Sequence, residues 1–301
     1  MQRLYAFIFA VAASVIVLTI SPAFSGGSPW LPAPGAGSIG LSYTYQTADE
    51  YHRKTSPTSS VDTVPLPSDL QQHTVLVDVK YGLFESVALD LRLGYAESYF
   101  RQHGTLREKS PSGLGDVNFG VTYRLLDEAI VENELLPSLA LRAGAIIAGD
   151  YETGSINSLG DGGEGFEISG LAGKFFADRF ALSSEFGYRY RNKNIPDNLF
   201  LRLSGGVLLW ERLGLSINYE RIDTPWGSLD IGPGEPPGVF TPARFPEVKE
   251  EIELLGGGLT VSLTDQISLG FSYATVIAGR NTAASDVFSV SLGYAFDTYA
   301  F

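Results

Sequence analysis

The stretch SVALDLRLGYA, residues 86–96, alternates with a period of two. Val87, Leu89, Leu91, Leu93 and Tyr95 fall on one side, and Ala88, Asp90, Arg92, Gly94 and Ala96 on the other. Successive side chains of an extended chain point to opposite faces, so the stretch reads as a strand with one apolar and one polar face. Two environments satisfy such a strand. In a soluble sandwich the apolar face meets a core and the polar face meets water. In a transmembrane barrel the apolar face meets lipid and the polar face lines a lumen. The rest of the chain chooses between them.

The same alternation recurs from end to end. Ile39, Leu41, Tyr43 and Tyr45 share one side of GSIGLSYTYQT, and Val75, Val77, Val79 and Tyr81 share one side of HTVLVDVKYG. GDVNFGVTYRL and SLALRAGAII follow, then FALSSEFGYRYR, LFLRLSGGVLLW, LGLSINYE, ELLGGGLTVSL, ISLGFSYAT and VFSVSLGYAF. With FEISGLAGKFF, whose apolar residues change parity around Gly170 and so suggest a bulge, the reading gives about twelve strands. Their connectors alternate in length. GLFES, ADRF, ERLG and TDQ are tight turns, whereas roughly 49–70, 100–112, 149–163 and 224–249 are long polar links, with shorter ones near 193–198 and 278–285. Short turns at one end and long loops at the other are the habit of an outer-membrane barrel, whose closed sheet satisfies every backbone group in lipid. The expected fold is therefore all-β: a single antiparallel transmembrane barrel with short periplasmic turns and long extracellular loops. Parity is under strong constraint, because a Lys or Arg facing lipid at mid-membrane costs ~2–4 kcal/mol.

The N-terminus agrees with export. Arg3 precedes an apolar run from Leu4 to Ile20, and Pro22 and Ala23-Phe24-Ser25 follow with small residues where a signal peptidase reads. Residues 1–25 are expected to be a signal peptide, 26–37 an irregular periplasmic lead-in and 38–301 the barrel. Aromatic residues fall at interface depths: Tyr81, Phe84 and Trp210 near the tight turns, and Tyr95, Tyr188 and Tyr190 towards the long loops. Tyr299 and Phe301 take the opposite parity from Phe288–Phe296, which predicts a bulge near Asp297 or a last strand that ends at Phe296.

Composition narrows the chemistry. A net charge of -13 argues against a nucleic-acid partner, and the absence of cysteine removes disulfides, thiolate metal sites and a cysteine nucleophile. His52 and His103 lie in expected loops and His73 opens a strand, none within a nucleophile motif. Asp150, Glu152 and Asp161 share a Gly-rich loop that could hold calcium, but such loops are more often solvated turns. No catalytic residue, metal or cofactor is expected. What remains is the lumen. Inward parity gives six acids, Asp78, Asp90, Asp116, Glu167, Glu185 and Glu220, against seven bases, Lys80, Arg92, Arg124, Arg142, Arg189, Arg191 and Arg202. So even a balance implies no strong ion selectivity by count, although rings of one sign could still impose it.

The segments YGLFESVALDLRLGY, SPSGLGDVNFGVTYRLL, AGDYETGSINSLGDGGEGFEISGLAGKFF and FGYRYR resemble the meta-pathway of phenol degradation family of bacterial outer-membrane barrels, over about residues 38–296. The most specific part is Gly113-Leu114-Gly115-Asp116, followed by Gly149-Asp150 and Gly160-Asp161-Gly162; Ile147-Ala148 stands where the family usually has Pro-Thr. The resemblance implies a role in moving small, often aromatic or hydrophobic compounds, and supplies no catalytic residues. The expected function is a passive or weakly selective outer-membrane channel for small molecules. The 49–70 and 224–249 loops would gate it, the second stiffened by Pro233, Pro236 and Pro237. Its expected partners are outer-membrane lipid, small-molecule solutes and the outer-membrane assembly machinery. A non-conducting structural or adhesive barrel and a lipid-modifying enzyme are the competing readings.

Overall fold

The computed structural model describes residues 26–53, 62–101, 110–131, 133, 135–177, 179–210, 212–226, 229–230 and 242–298. Twelve strands build the wall. They are β1 (Ala36–Arg53), β2 (Asp62–Phe84), β3 (Val87–Phe100), β5 (Val117–Leu126), β6 (Ser138–Ile147), β7 (Gly165–Phe176), β8 (Phe180–Arg191), β9 (Asn198–Leu209), β10 (Leu213–Asp223), β11 (Glu251–Ser262), β12 (Ile267–Arg280) and β14 (Asp286–Asp297). Two short strands complete the set: β4 (Ser112–Leu114) pairs with β3, and β13 (Thr282–Ala283) pairs with the outer end of β1. All pairings between these strands are antiparallel. β1 pairs with both β14 and β2, which closes the sheet.

The alternation is resolved as outward apolar and inward polar. Leu141, Ile168 and Phe186 are 52%, 53% and 58% exposed on the outer surface, while Arg142, Glu167 and Glu185 beside them are buried inside. An isolated hydrophobic belt of this extent is costly in water and at home in lipid.

Two local expectations change, and the end of the last strand is resolved. Of the link expected at 49–70, the described residues 49–53 and 62–70 are strand, since β1 and β2 continue past the register shift between Ala48 and Glu50 and pair Tyr51 with Val64 and His52 with Thr63. β-Branched Thr63 and Val64 suit an extended pair, so the sheet itself continues into this part of the link. Residues 166–176 contain no bulge. Gly170 stays in register with Leu141 on one side and Phe186 on the other, and Leu171 points inward at 3% exposure. The parity change has another origin: an apolar inward residue covered by another part of the chain. Finally, β14 ends at Asp297 opposite Ala36, with the Phe296 ring 6.4 Å from that of Tyr81. Tyr299, Phe301, residues 1–25, His103 and Pro233, Pro236 and Pro237 lie outside the described residues.

Candidate functional site: a lumen with two unlike walls

From β2 round to β10 the inner wall is charged and interlocked. Arg142 on β6 is 5% exposed and donates to Asp90 at 2.6 Å and to Glu167 at 3.1 Å. Asp90 lies two strands away, across β5. The strand between them carries Gly120 at the crossing point, and a Cβ there would collide with the Asp90 carboxylate and the Arg142 guanidinium. Glu167 also accepts from Arg189 Nε at 2.6 Å. Arg202 bridges Glu185 at 3.2 Å and Glu220 at 2.7 Å. Arg92 pairs with Asp78 at 2.5 Å, and Lys80 stands opposite Asp90 in the β2–β3 register. The ladder is continuous because neighbouring strands place an acid beside a base at successive inward positions.

Phe200 stiffens it. This ring is 1% exposed on the inner face of β9, with the guanidinium carbons of Arg202 and Arg189 at 4.4 and 5.5 Å from its centroid. Such cation–π contacts strengthen when desolvated. Its inward position is readable in its parity with Arg202, but an apolar residue on the polar face is easily passed over.

Not every expected luminal charge joins this ladder. Arg124 sits at the turn end, paired with Asp127 at 2.9 Å and donating to the Glu85 carbonyl. Arg191 pairs with Asp161 of the 149–164 loop at 2.5 Å. Asp116 accepts from Tyr151 Oη at 2.5 Å and from Gly149 N at 3.1 Å, which pins that loop across the mouth. Burial and the Asp116 carboxylate push the Tyr151 phenol up.

The opposite wall is different in kind. β11 presents Gly256, Gly258 and Thr260 inward; β12 presents Ser268, Gly270, Ser272 and Ala274; β14 presents Ser289, Ser291 and Gly293; β1 presents Ser38, Gly40, Ser42 and Thr44. No charged residue stands among them, and their side chains are small. Thr44 and Ser289 share a 3.1 Å hydroxyl contact across the β1–β14 seam.

The chain's own start occupies the inner end. Gly27 N donates to Glu185 at 3.1 Å, and a Cβ on Gly27 would strike Leu171 and Arg142. Trp30 donates its indole N–H to Glu128 at 2.9 Å and packs on Phe175 with centroids 4.5 Å apart. Gly173 leaves room for the Trp30 and Pro29 rings. This segment is what covers Leu171. A cavity of about 230 Å³ remains between it and the charged wall.

The outer mouth holds a second cavity, of about 460 Å³, against the neutral wall. Ile156 and Asn157 of the 149–164 loop cover it together with Phe245 from the 3-10 turn Pro242–Glu247. The loop expected to be a plain solvated turn is thus an inward constriction, and part of the 224–249 link contributes beside it. Tyr51 and Leu70, from the extended β1–β2 pair, line the same space.

The two described histidines serve in separate contacts. His52 has Nε2 3.3 Å from the Val276 carbonyl, and His73 meets Tyr43 Oη at 2.7 Å within a cluster with Tyr45 and Tyr99. Among the described residues no group of three His, Asp or Glu side chains is placed to hold a metal ion.

A family model described as "Putative MetA-pathway of phenol degradation" matches residues 72–292. Among solved structures, the fold is similar to an outer membrane channel from Pseudomonas putida F1, with a TM-score of 0.68 at 14% identity over 91% of this chain and 100% of that one. It is also similar to the NanC porin, with a TM-score of 0.51 at 6% identity over 85% of this chain and 98% of that one. At these identities the likeness concerns the fold. No curated protein matches the chain in sequence.

Proposed function

The chain belongs to this family, and from its geometry we propose that it is an outer-membrane channel through which small molecules pass passively, along the neutral wall of the lumen. The asymmetry of the interior is the observation that carries this reading. On the charged side, Arg142, Arg202 and their carboxylates are held by one another and by Phe200, so they fill space and stay in place. On the other side, glycine, serine and alanine leave width and offer hydroxyls in place of fixed charge. Asp78, Lys80, Asp90, Arg92, Asp116, Arg124, Arg142, Glu167, Glu185, Arg189, Arg191, Arg202 and Glu220 then act chiefly as the far bank of the path. They set its shape and its field more than they contact the solute.

Solutes with apolar parts suit the mouth, where Leu254, Val276 and Val287 line the cavity. At the inner end the Gly26–Trp30 segment narrows the route. Cleavage after Ser25 would make Gly26 the first residue of the mature chain and put a new α-amino group near Glu185, which N-terminal sequencing of the exported protein checks.

One arrangement favours the rival reading of a non-conducting barrel. The luminal segment and the ion-pair ladder together fill much of the inner half. Single-channel recording of the refolded mature protein beside a variant lacking residues 26–30 separates the two. A channel gives discrete steps that enlarge in the deletion. Silence from both, with heat-modifiable folding confirmed, contradicts the proposal.

A further inference from the structure

The outer cavity carries more chemistry than a passage for any small solute requires. Its floor is apolar, formed by Leu76, Leu254, Val276 and Val287. The polar side chains of its lining include Tyr51, Asn281 and Glu250. The Tyr51 hydroxyl and Asn281 Oδ1 are buried without a hydrogen-bond partner. Asn281 is 4% exposed, and its Nδ2 donates to Asp230 Oδ1 and the Lys249 carbonyl, both at 2.8 Å. Both partners are acceptors, so the amide orientation is fixed and Oδ1 is left as the unused acceptor. An unsatisfied buried acceptor costs free energy, which a donor arriving in the cavity would recover.

Glu250 supplies the charge. Burial, with Asp161 of the 149–164 loop adding repulsion, pushes its carboxyl up to about 7, against the opposing effects of a Thr282 hydrogen bond and of Arg191 and Arg189 on β8. Among the described residues lining this cavity there is no Lys or Arg. Its other carboxylate, Glu220, is already paired with Arg202.

We propose that this cavity binds small apolar molecules that carry a protonated amine, the ammonium meeting Glu250 and the free oxygens of Asn281 and Tyr51. An ammonium has three donors and no acceptor, which complements a set made of a carboxylate, an amide oxygen and a phenol oxygen. It also compensates a carboxylate that is costly to ionise in an empty, poorly solvated space. A neutral hydroxyl fills one acceptor without compensating the charge, and an anionic head adds a second negative charge to the site. The proposal rests on the channel reading above, because the cavity opens on the neutral-wall path, and it adds a preference that free passage does not imply.

Three indoles with one body and different heads provide the test: tryptamine, tryptophol and indole-3-acetate. They are titrated calorimetrically into the refolded full-length mature protein in nanodiscs of zwitterionic lipid, with empty discs as the blank. At about pH 8 tryptamine is expected to bind at least about tenfold more tightly than tryptophol, with indole-3-acetate weakest, as charge-assisted hydrogen bonding requires. Glu250→Gln should bring tryptamine down to the tryptophol level and leave tryptophol unchanged. In the unaltered protein the preference should shrink at about pH 5.5, where Glu250 is protonated. This last comparison needs no variant to fold. Equal binding of the three heads, tighter binding of the acid, a preference that survives Glu250→Gln, or one indifferent to pH would each overturn the proposal. Arabinose uptake by proteoliposomes made from the same sample tests the channel reading separately. Uptake without amine preference overturns only the cavity proposal, and amine binding without uptake overturns only the channel.

Discussion

The two walls of this lumen are built by the same strand chemistry and end in opposite physical states. Between β2 and β10, inward positions carry Asp, Glu, Lys and Arg, which reach across intervening strands and lock together. Between β11 and β1 many of the corresponding positions carry Gly, Ser, Ala and Thr, whose side chains are too short to cross an intervening strand, as the Thr44–Ser289 contact between adjacent strands illustrates. Both solutions are compatible with closure, because the backbone ladder satisfies itself irrespective of what points inward. The charged wall gains rigidity and gives up space, whereas the neutral wall gives up side-chain contacts and keeps the space. A barrel of this strand number is intermediate between a filled interior and an aqueous pore, so one side can be packed while the other stays open.

Breaking the charged wall should have the largest effect. Arg142→Met leaves Asp90 and Glu167 facing each other with their shared cation gone, and loss of one partner from a buried ion-pair cluster costs about 3–5 kcal/mol. The midpoint of urea unfolding in lipid, followed by loss of heat-modifiable migration, should fall accordingly. A midpoint that does not move would mean the ladder is decoration. Placing a charge on the neutral wall should act on permeation with a smaller effect on folding. Ser272→Asp puts a carboxylate on the open side of β12, and the reversal potential in a salt gradient should shift towards cation selectivity. An unchanged reversal potential would place the ion path elsewhere. Least of all should come from Thr44→Val, which removes the 3.1 Å contact with Ser289 at the neutral seam. The cost should stay within about 1 kcal/mol, with conductance unaltered.

The barrel was legible in the sequence because lipid on one side imposes strict parity over ten or so residues, and that signal survives without any long-range information. The inward parity of Arg142, Glu167, Glu185, Arg202 and Glu220 was legible for the same reason. Their distribution was also present, since small-residue strands such as ELLGGGLTVSL cluster late in the chain, yet a total of acids against bases hides it; a strand-by-strand count would have exposed the neutral arc. Other features were not legible. The inward turn of Leu171 looks like a bulge until Gly27 is seen against it, and that contact spans a sequence distance no periodicity encodes. The GGSPWLPAP lead-in has no repeat, so nothing local announces that Trp30 will seek Glu128. The Gly-rich 149–164 loop folds inward because Tyr151 finds Asp116, a pairing fixed only by the closed barrel.

Cysteine accessibility tests the central claim most directly, and the chain offers a clean background because it has no cysteine of its own. Ser272→Cys on the neutral wall and Thr122→Cys beside Arg142 on the charged wall would each be exposed to a small methanethiosulfonate reagent during single-channel recording. If solutes follow the neutral wall, reagent reaches Cys at position 272 and steps the current down, while the position 122 variant conducts unchanged. Block at position 122 with none at 272 would contradict the account.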